Sequence, residues 1–110
     1  MDSILTSIKT LLGVAEGDPN FDQELVMHIN SAITVLTQLG VGPNTGFKIT
    51  GDTEIWEDLI GDKPILESVK TIIYLRVRVS FDPPQTSYQI ESFKKQHEEL
   101  EWRLDVALSS

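Results

Sequence analysis

The sequence predicts an all-α protein, a compact small bundle of about four helices followed by a C-terminal helix after an Asp82-Pro83-Pro84 hinge. Two observations support this fold class. Apolar residues recur at the three- and four-residue spacing of amphipathic helices, and Gly or Pro residues separate these periodic segments. Segments that alternate like strands do not occur as pairs joined by a turn, so a sheet is not expected.

The first two helices are predicted from their apolar spacing and from the turn residues that flank them. The first covers residues 3–12 and stops at Gly13, a residue suited to a helix C-terminus. The second covers residues 21–39, with Asn20 as its N-cap. Its apolar positions form one continuous stripe, made of Leu25, Ile29, Ala32, Ile33 and Leu36.

The middle of the chain predicts one short helix after an irregular connection. The segment from Val41 to Thr53 is rich in Gly and Thr, and it is too short to form a sheet of its own. A short helix capped by Asp52 or Thr53 then extends to Ile60 and closes at Gly61.

A fourth helix is predicted over residues 64–81, the most apolar part of the chain, with Pro64 in its first turn. Apolar and polar residues alternate towards its end as they do in a strand, but its length and the lack of a partner strand favour a buried helix. Arg76 and Arg78 interrupt its apolar surface. They are either side chains that reach along the helix to water or partners for acids on another subunit.

A charged closing helix is predicted after the hinge, because two adjacent prolines cannot donate the backbone hydrogen bonds that would continue the fourth helix. The chain is therefore expected to form a single domain over residues 1–110, with a helical body at 1–81, a hinge at 82–85 and the closing helix at 86–108.

The closing helix carries apolar residues on two faces rather than one. At about 100° per residue, one face holds Phe93, His97, Leu100 and Leu104. The nearly opposite face holds Tyr88, Lys95, Trp102 and Val106. The first face is expected to pack on the body. The second face, with Arg76 and Arg78, is the candidate protein interface, and Trp102 either folds onto the body by a tight turn at the hinge or anchors that interface.

The charge of the chain argues against binding to a nucleic acid backbone. The formal net charge is -8 and the sequence pI is about 4.5, whereas phosphate recognition requires clustered Lys and Arg. Residues 1–63 hold ten acids and three bases, and residues 64–110 hold seven acids and six bases. This asymmetry suits head-to-tail packing of subunits, or it is simply a solvated acidic surface.

The sequence offers no recognisable catalytic, cofactor-binding or metal site. Cysteine is absent, so thiolate nucleophiles and zinc–thiolate sites are excluded. His28 and His97 lie in different predicted helices without ligand spacing, and the glycines match no phosphate loop. We therefore expect a protein that is not an enzyme and needs no cofactor. With no secretory signal or membrane span in the sequence, we expect it to stay in the cytoplasm where it is made.

The order of its motifs resembles that of a known family. These motifs are Phe21-Asp22-Gln23-Glu24-Leu25, His28-Ile29-Asn30-Ser31-Ala32, Leu39-Gly40-Val41-Gly42-Pro43, Trp56-Glu57-Asp58-Leu59, Phe81-Asp82-Pro83-Pro84, Glu91-Ser92-Phe93 and Glu101-Trp102-Arg103-Leu104. Together they resemble the small head–tail connector, or adaptor, proteins of long-tailed bacteriophages and of prophages in low-GC Gram-positive bacteria.

The resemblance implies an all-helical subunit that assembles with itself as a ring, usually twelvefold, under the portal protein at the capsid vertex. Such a ring extends the DNA channel and provides the platform for the stopper or tail-completion protein. DNA passes through without sequence-specific binding. The resemblance further implies assembly in the host cytoplasm and a final place in the neck of the virion. The alternative from the residues is a non-catalytic binding module that docks its closing helix on one partner protein.

Overall fold

The computed structural model describes residues 3–15, 17–43, 45–61, 64–81 and 87–109 of the 110-residue chain. These ranges form five helices, α1 (Ile4–Leu12), α2 (Asp22–Gln38), α3 (Trp56–Ile60), α4 (Leu66–Phe81) and α5 (Ser87–Ser109). The extended pairing in the described ranges is a single isolated bridge between Ser3 and Ile55. The prediction of a small all-α bundle is confirmed. The predicted hinge at Asp82, Pro83 and Pro84 lies outside the described residues.

Helix α4 is the centre of the bundle. It packs most extensively against α2, and it also contacts α1 and α5. The core consists of apolar side chains from all five helices and from the connection before α3, including Ile4, Ile8, Leu25, Ile29, Ile33, Leu36, Val69, Ile72, Ile73, Val77 and Leu104. All five positions of the predicted α2 stripe are buried. The strand-like alternation in α4 is therefore accommodated in a helix that is covered on several sides.

The two ends of α1 follow the sequence pattern. The Ser3 hydroxyl accepts a hydrogen bond from the backbone N–H of Thr6 at 3.0 Å, which satisfies one of the free donors of the first turn. Gly13 ends the helix with φ 79°, a left-handed conformation that costs glycine little.

The start of α2 differs from the prediction that Asn20 is its N-cap. The N-cap position is Phe21, which has no side-chain hydrogen-bonding group. Asn20 instead donates its backbone N–H to the carboxylate of Asp18 at 3.0 Å within the preceding turn. The Phe21 ring packs edge-to-face on Phe81 at the end of α4, with 5.3 Å between ring centroids. An aromatic contact between two helices therefore fixes where α2 begins.

The start of α3 also differs from the prediction. Its N-cap is Ile55 rather than Asp52 or Thr53, and the Ile55 N–H donates to the carboxylate of Asp58 at 3.0 Å. This bond is half of a capping box. The buried indole of Trp56 donates to the Ser7 hydroxyl at 3.0 Å, which holds α3 against α1.

The connection between α2 and α3 is irregular, as predicted, and one side chain attaches it to the body. The Asn30 amide donates to the carbonyl of Ile49 at 2.9 Å, and its oxygen accepts from the N–H of the same residue at 2.7 Å. The Ile49 side chain is almost fully buried in the core. Asn30 thus provides hydrogen-bond partners for the backbone N–H and carbonyl of Ile49, which have no neighbouring strand to pair with.

Candidate assembly surfaces

The inner side of α5 attaches this helix to the body. Leu104 is buried and belongs to the core, and Leu100 packs against the same core at partial burial. Phe93 and His97 are half-buried. The structure therefore places all four residues of the predicted inner stripe on the covered side of α5.

A polar cluster between α4 and α5 reinforces this attachment. One carboxylate oxygen of Glu101 accepts hydrogen bonds from Nε and Nη2 of Arg76 at 2.9 and 2.7 Å. The same oxygen lies 2.8 Å from Nε2 of His97, one turn earlier on α5. Charge-assisted bonds of this length are among the stronger polar contacts in proteins. Glu101 is therefore a structural link between two helices.

Arg78 also contacts side chains of its own chain. Its guanidinium lies over the Phe93 ring, 4.8 Å from the centroid, and its Nη1 donates to the Tyr74 hydroxyl at 3.0 Å. Its Nε is buried and has no hydrogen-bond partner among the described residues. Both arginines of α4 thus have intramolecular contacts, with Arg76 paired to an acid of its own subunit. A role for Arg76 and Arg78 at a subunit interface stays a prediction.

The outer side of α5 presents apolar residues to solvent. Tyr88 is 82% exposed, Trp102 66% and Val106 48%, and Lys95 on the same side is also exposed. The interpretation in which Trp102 packs onto its own body is therefore wrong. We call Tyr88, Lys95, Trp102 and Val106 the outer stripe. Its function as a protein interface stays a prediction.

Acidic side chains flank the outer stripe. Glu91 and Glu98 lie on one side of it at helical spacing and are exposed. Glu99 lies on the other side and forms an exposed ion pair with Arg103 at 2.7 Å. The outer stripe is thus an aromatic surface with an acidic border.

A groove between α4 and α5 forms a second surface, which the sequence did not lead us to predict. It has a volume of about 220 Å³ and is lined by Leu75, Val79, Phe93, Lys94 and His97. Leu75 is buried but lies outside the contiguous core, whereas Val79 is 49% exposed. We call this surface the α4–α5 groove. Its residues lie far apart in the sequence, so only the packing of the two helices brings them together.

Lys9 of α1 lines a polar hollow beside the start of α2. The hollow has a volume of about 370 Å³, and the Lys9 ammonium donates to Asp22 at 2.7 Å and to the Asp18 carbonyl at 2.8 Å. These bonds join α1 to the start of α2. Across the described ranges, no three His, Cys, Asp or Glu side chains are grouped so that they could hold a metal ion.

Among the described residues, Glu54 is the titratable group whose surroundings clearly change its pKa. Burial raises the pKa of Glu54, but the Thr50 hydroxyl and backbone N–H donate to one carboxylate oxygen at 2.8 and 3.0 Å. These bonds, with backbone contributions from Gly51 and Glu54, outweigh burial and hold the pKa below its ordinary value of 4.5. The carboxylate closes a turn of the connection before α3, so its role is structural.

No described helix combines the length and the apolar character that crossing a bilayer requires. Searches of curated proteins and of solved structures gave no match to the chain. A family model described as phage connector protein matches residues 4–109, nearly the whole chain. The chain belongs to the phage connector protein family and has the structural role of a phage connector.

Proposed function

We propose that this protein is a head–tail connector subunit that forms a ring under the portal protein at the capsid vertex. The ring extends the DNA channel and provides the docking platform for the stopper or tail-completion protein. Subunits are made in the host cytoplasm and end in the neck of the virion. The single observation that carries this proposal is the outer stripe of α5, where Trp102 is 66% exposed on a helix whose inner side is anchored to the body.

The energetics of an exposed tryptophan support an interface at this position. Trp is enriched among the residues that contribute most to protein–protein binding, because its large ring loses much water-exposed surface on contact. The intramolecular anchors of α5, which are Leu104 and the Glu101–Arg76 bonds, hold the helix in place without using the outer stripe. The exposed rings of Tyr88 and Trp102 are therefore accessible to a partner in the folded subunit.

The charge of the chain supports a channel role that does not include binding DNA. A formal net charge of -8 repels phosphate. DNA would therefore pass through the channel without being held by contacts to its backbone. The proposal accordingly includes no sequence-specific contact with nucleic acid.

Electron microscopy of the protein mixed with the portal protein of the same phage genome tests the proposal. We expect a ring of density beneath the portal, coaxial with its channel. A complex with one copy of this protein on one partner would instead support the alternative, a binding module that docks its closing helix on a single protein. A portal that stays bare at saturating concentration would contradict the proposed function.

A further inference from the structure

The outer stripe and the α4–α5 groove have complementary properties. The stripe projects the aromatic residues Tyr88 and Trp102 and has an acidic border. The groove is concave and mainly apolar, and the exposed Lys94 lies among its lining residues. His97 also lines it, but its ring is bonded to Glu101 of the same subunit. Neither Lys94 nor Glu98 of the stripe border forms an ion pair within the described residues. A projecting aromatic surface with an acidic border and a recessed apolar surface with a lysine at its edge match each other in shape and charge.

The two surfaces lie on different sides of the same helix. Nine positions separate Phe93 in the groove from Trp102 in the stripe, which at about 100° per residue places them on opposite sides of α5. The stripe of one molecule therefore cannot enter its own groove. A twofold dimer would need the stripe of each copy to enter the groove of the other. Each copy would then have to present both sides of α5 to its partner, which opposite sides of one helix do not allow.

We propose that the outer stripe of one subunit docks in the α4–α5 groove of the next, so that Trp102 is the anchor of a head-to-tail contact between copies of this chain. This inference rests on the proposed ring and names the surfaces that build it. A heterologous contact of this kind leaves one unused surface at each end of every oligomer, and it continues until the rotation between neighbours closes the ring.

The walls of the groove are already held in place in the isolated subunit. The Arg78 guanidinium stacks on Phe93, so one wall of the groove is held in place before a partner arrives. Leu75 at its base is already buried, and Val79 provides an exposed apolar edge. A groove with fixed walls loses little conformational freedom on binding, which favours association.

A mixing experiment tests this contact. Trp102→Ala removes the anchor of the stripe and leaves the groove intact. Val79→Glu leaves the stripe intact and places a carboxylate in the groove, where it would face the acidic border of the docked stripe. Sedimentation of the full chain at concentrations up to about 1 mM measures association, since contacts with millimolar Kd are detectable there. Met27→Ala is the control, because Met27 on α2 is 60% exposed and belongs neither to the outer stripe nor to the lining of the groove. Thermal melts establish that each variant folds.

We expect the wild-type protein and Met27→Ala to form oligomers, and each of the other two variants to associate at least about tenfold more weakly. An equimolar mixture of Trp102→Ala and Val79→Glu should form heterodimers and stop there, because only one intact stripe and one intact groove remain for each pair. Wild-type protein that stays monomeric throughout, folded variants that associate like wild type, or a mixture that forms no heterodimer would overturn the proposed contact.

Electron microscopy with the portal protein and the mixing experiment test different claims. If the portal acquires a ring in which Val79→Glu and Trp102→Ala subunits assemble normally, the proposed function stands and the proposed subunit contact is wrong. If the mixing experiment succeeds while the portal stays bare, the contact stands and the proposed place under the portal is wrong.

Discussion

At the scale of single residues, Asn30 determines how the long connection before α3 is held. Its side chain makes both hydrogen bonds that a neighbouring strand would make with Ile49. The sequence shows only an asparagine in the interior of a helix, a position where this residue is neutral or slightly unfavourable. This contact could not be predicted, because the two partners are joined by the fold and not by local spacing.

We predict that Asn30→Ala lowers the free energy of unfolding by about 1–3 kcal/mol, because it leaves the buried N–H and carbonyl of Ile49 without their partner. Chemical denaturation measures the change. Thr34→Ala is the matched control on the same helix, since the exposed Thr34 hydroxyl bonds only to the backbone carbonyl one turn earlier. Equal stability losses in the two variants would contradict the role given to Asn30.

The lowered pKa of Glu54 predicts how part of the free energy of unfolding depends on pH. Its pKa is lower in the folded protein than in the unfolded chain, so the folded state favours the carboxylate. The contribution of Glu54 is therefore complete above the unfolded pKa and disappears as the pH falls through the folded pKa. Glu54→Gln should destabilise the protein more at about pH 7 than at about pH 3. Denaturation curves of both proteins across this range test the sign, and a constant difference would contradict it.

At the scale of helices, the sequence predicted most of the elements correctly. Periodic apolar residues identified α1, α2 and α4, since a helix that packs on a core must present an apolar face. The predicted starts of α2 and α3 were wrong because tertiary contacts of Phe21 and Trp56 outweigh the local preference for a capping side chain. The boundaries of helices therefore depended on packing that spacing alone does not show.

We predict that Glu101→Gln loosens α5 from α4, because an amide oxygen is a weaker acceptor than a carboxylate for the Arg76 guanidinium. The expected loss is about 1–2 kcal/mol for charge-assisted bonds at partial burial. Hydrogen exchange should show faster exchange in α5 and little change in α1 and α2.

Glu99→Gln is the control for this prediction, because Glu99 forms an exposed ion pair with Arg103 on the same helix. Such a pair contributes little to stability. If both variants exchange like the wild-type protein, the Glu101 cluster does not hold α5 on the body.

At the scale of the whole molecule, fold and family could be predicted from the sequence, but the arrangement of surfaces could be predicted only in part. The helical periodicity of α5 separated an inner from an outer side, since Phe93, Leu100 and Leu104 recur at seven- and four-residue spacing. The α4–α5 groove was not foreseen, because it exists only once α5 lies against α4.

One side of α5 packs on the body of the subunit, and we propose that the opposite side assembles it. Phe93 is half-buried and stacked under Arg78, and Trp102 is exposed. Phe93→Ala should therefore lower the stability of the isolated subunit, by less than the roughly 3 kcal/mol that a fully buried ring contributes. Trp102→Ala should leave the melting temperature nearly unchanged.

The most direct measurement is the mass of the complex that each protein forms with the portal, at concentrations where the subunits are folded. Wild-type protein should add many copies to each portal, and Trp102→Ala should add few or none, since losing an interface tryptophan commonly costs about 2 kcal/mol or more. If Trp102→Ala adds as many copies as the wild type, or melts while its folded fraction still binds, the two sides of α5 have been assigned the wrong way round.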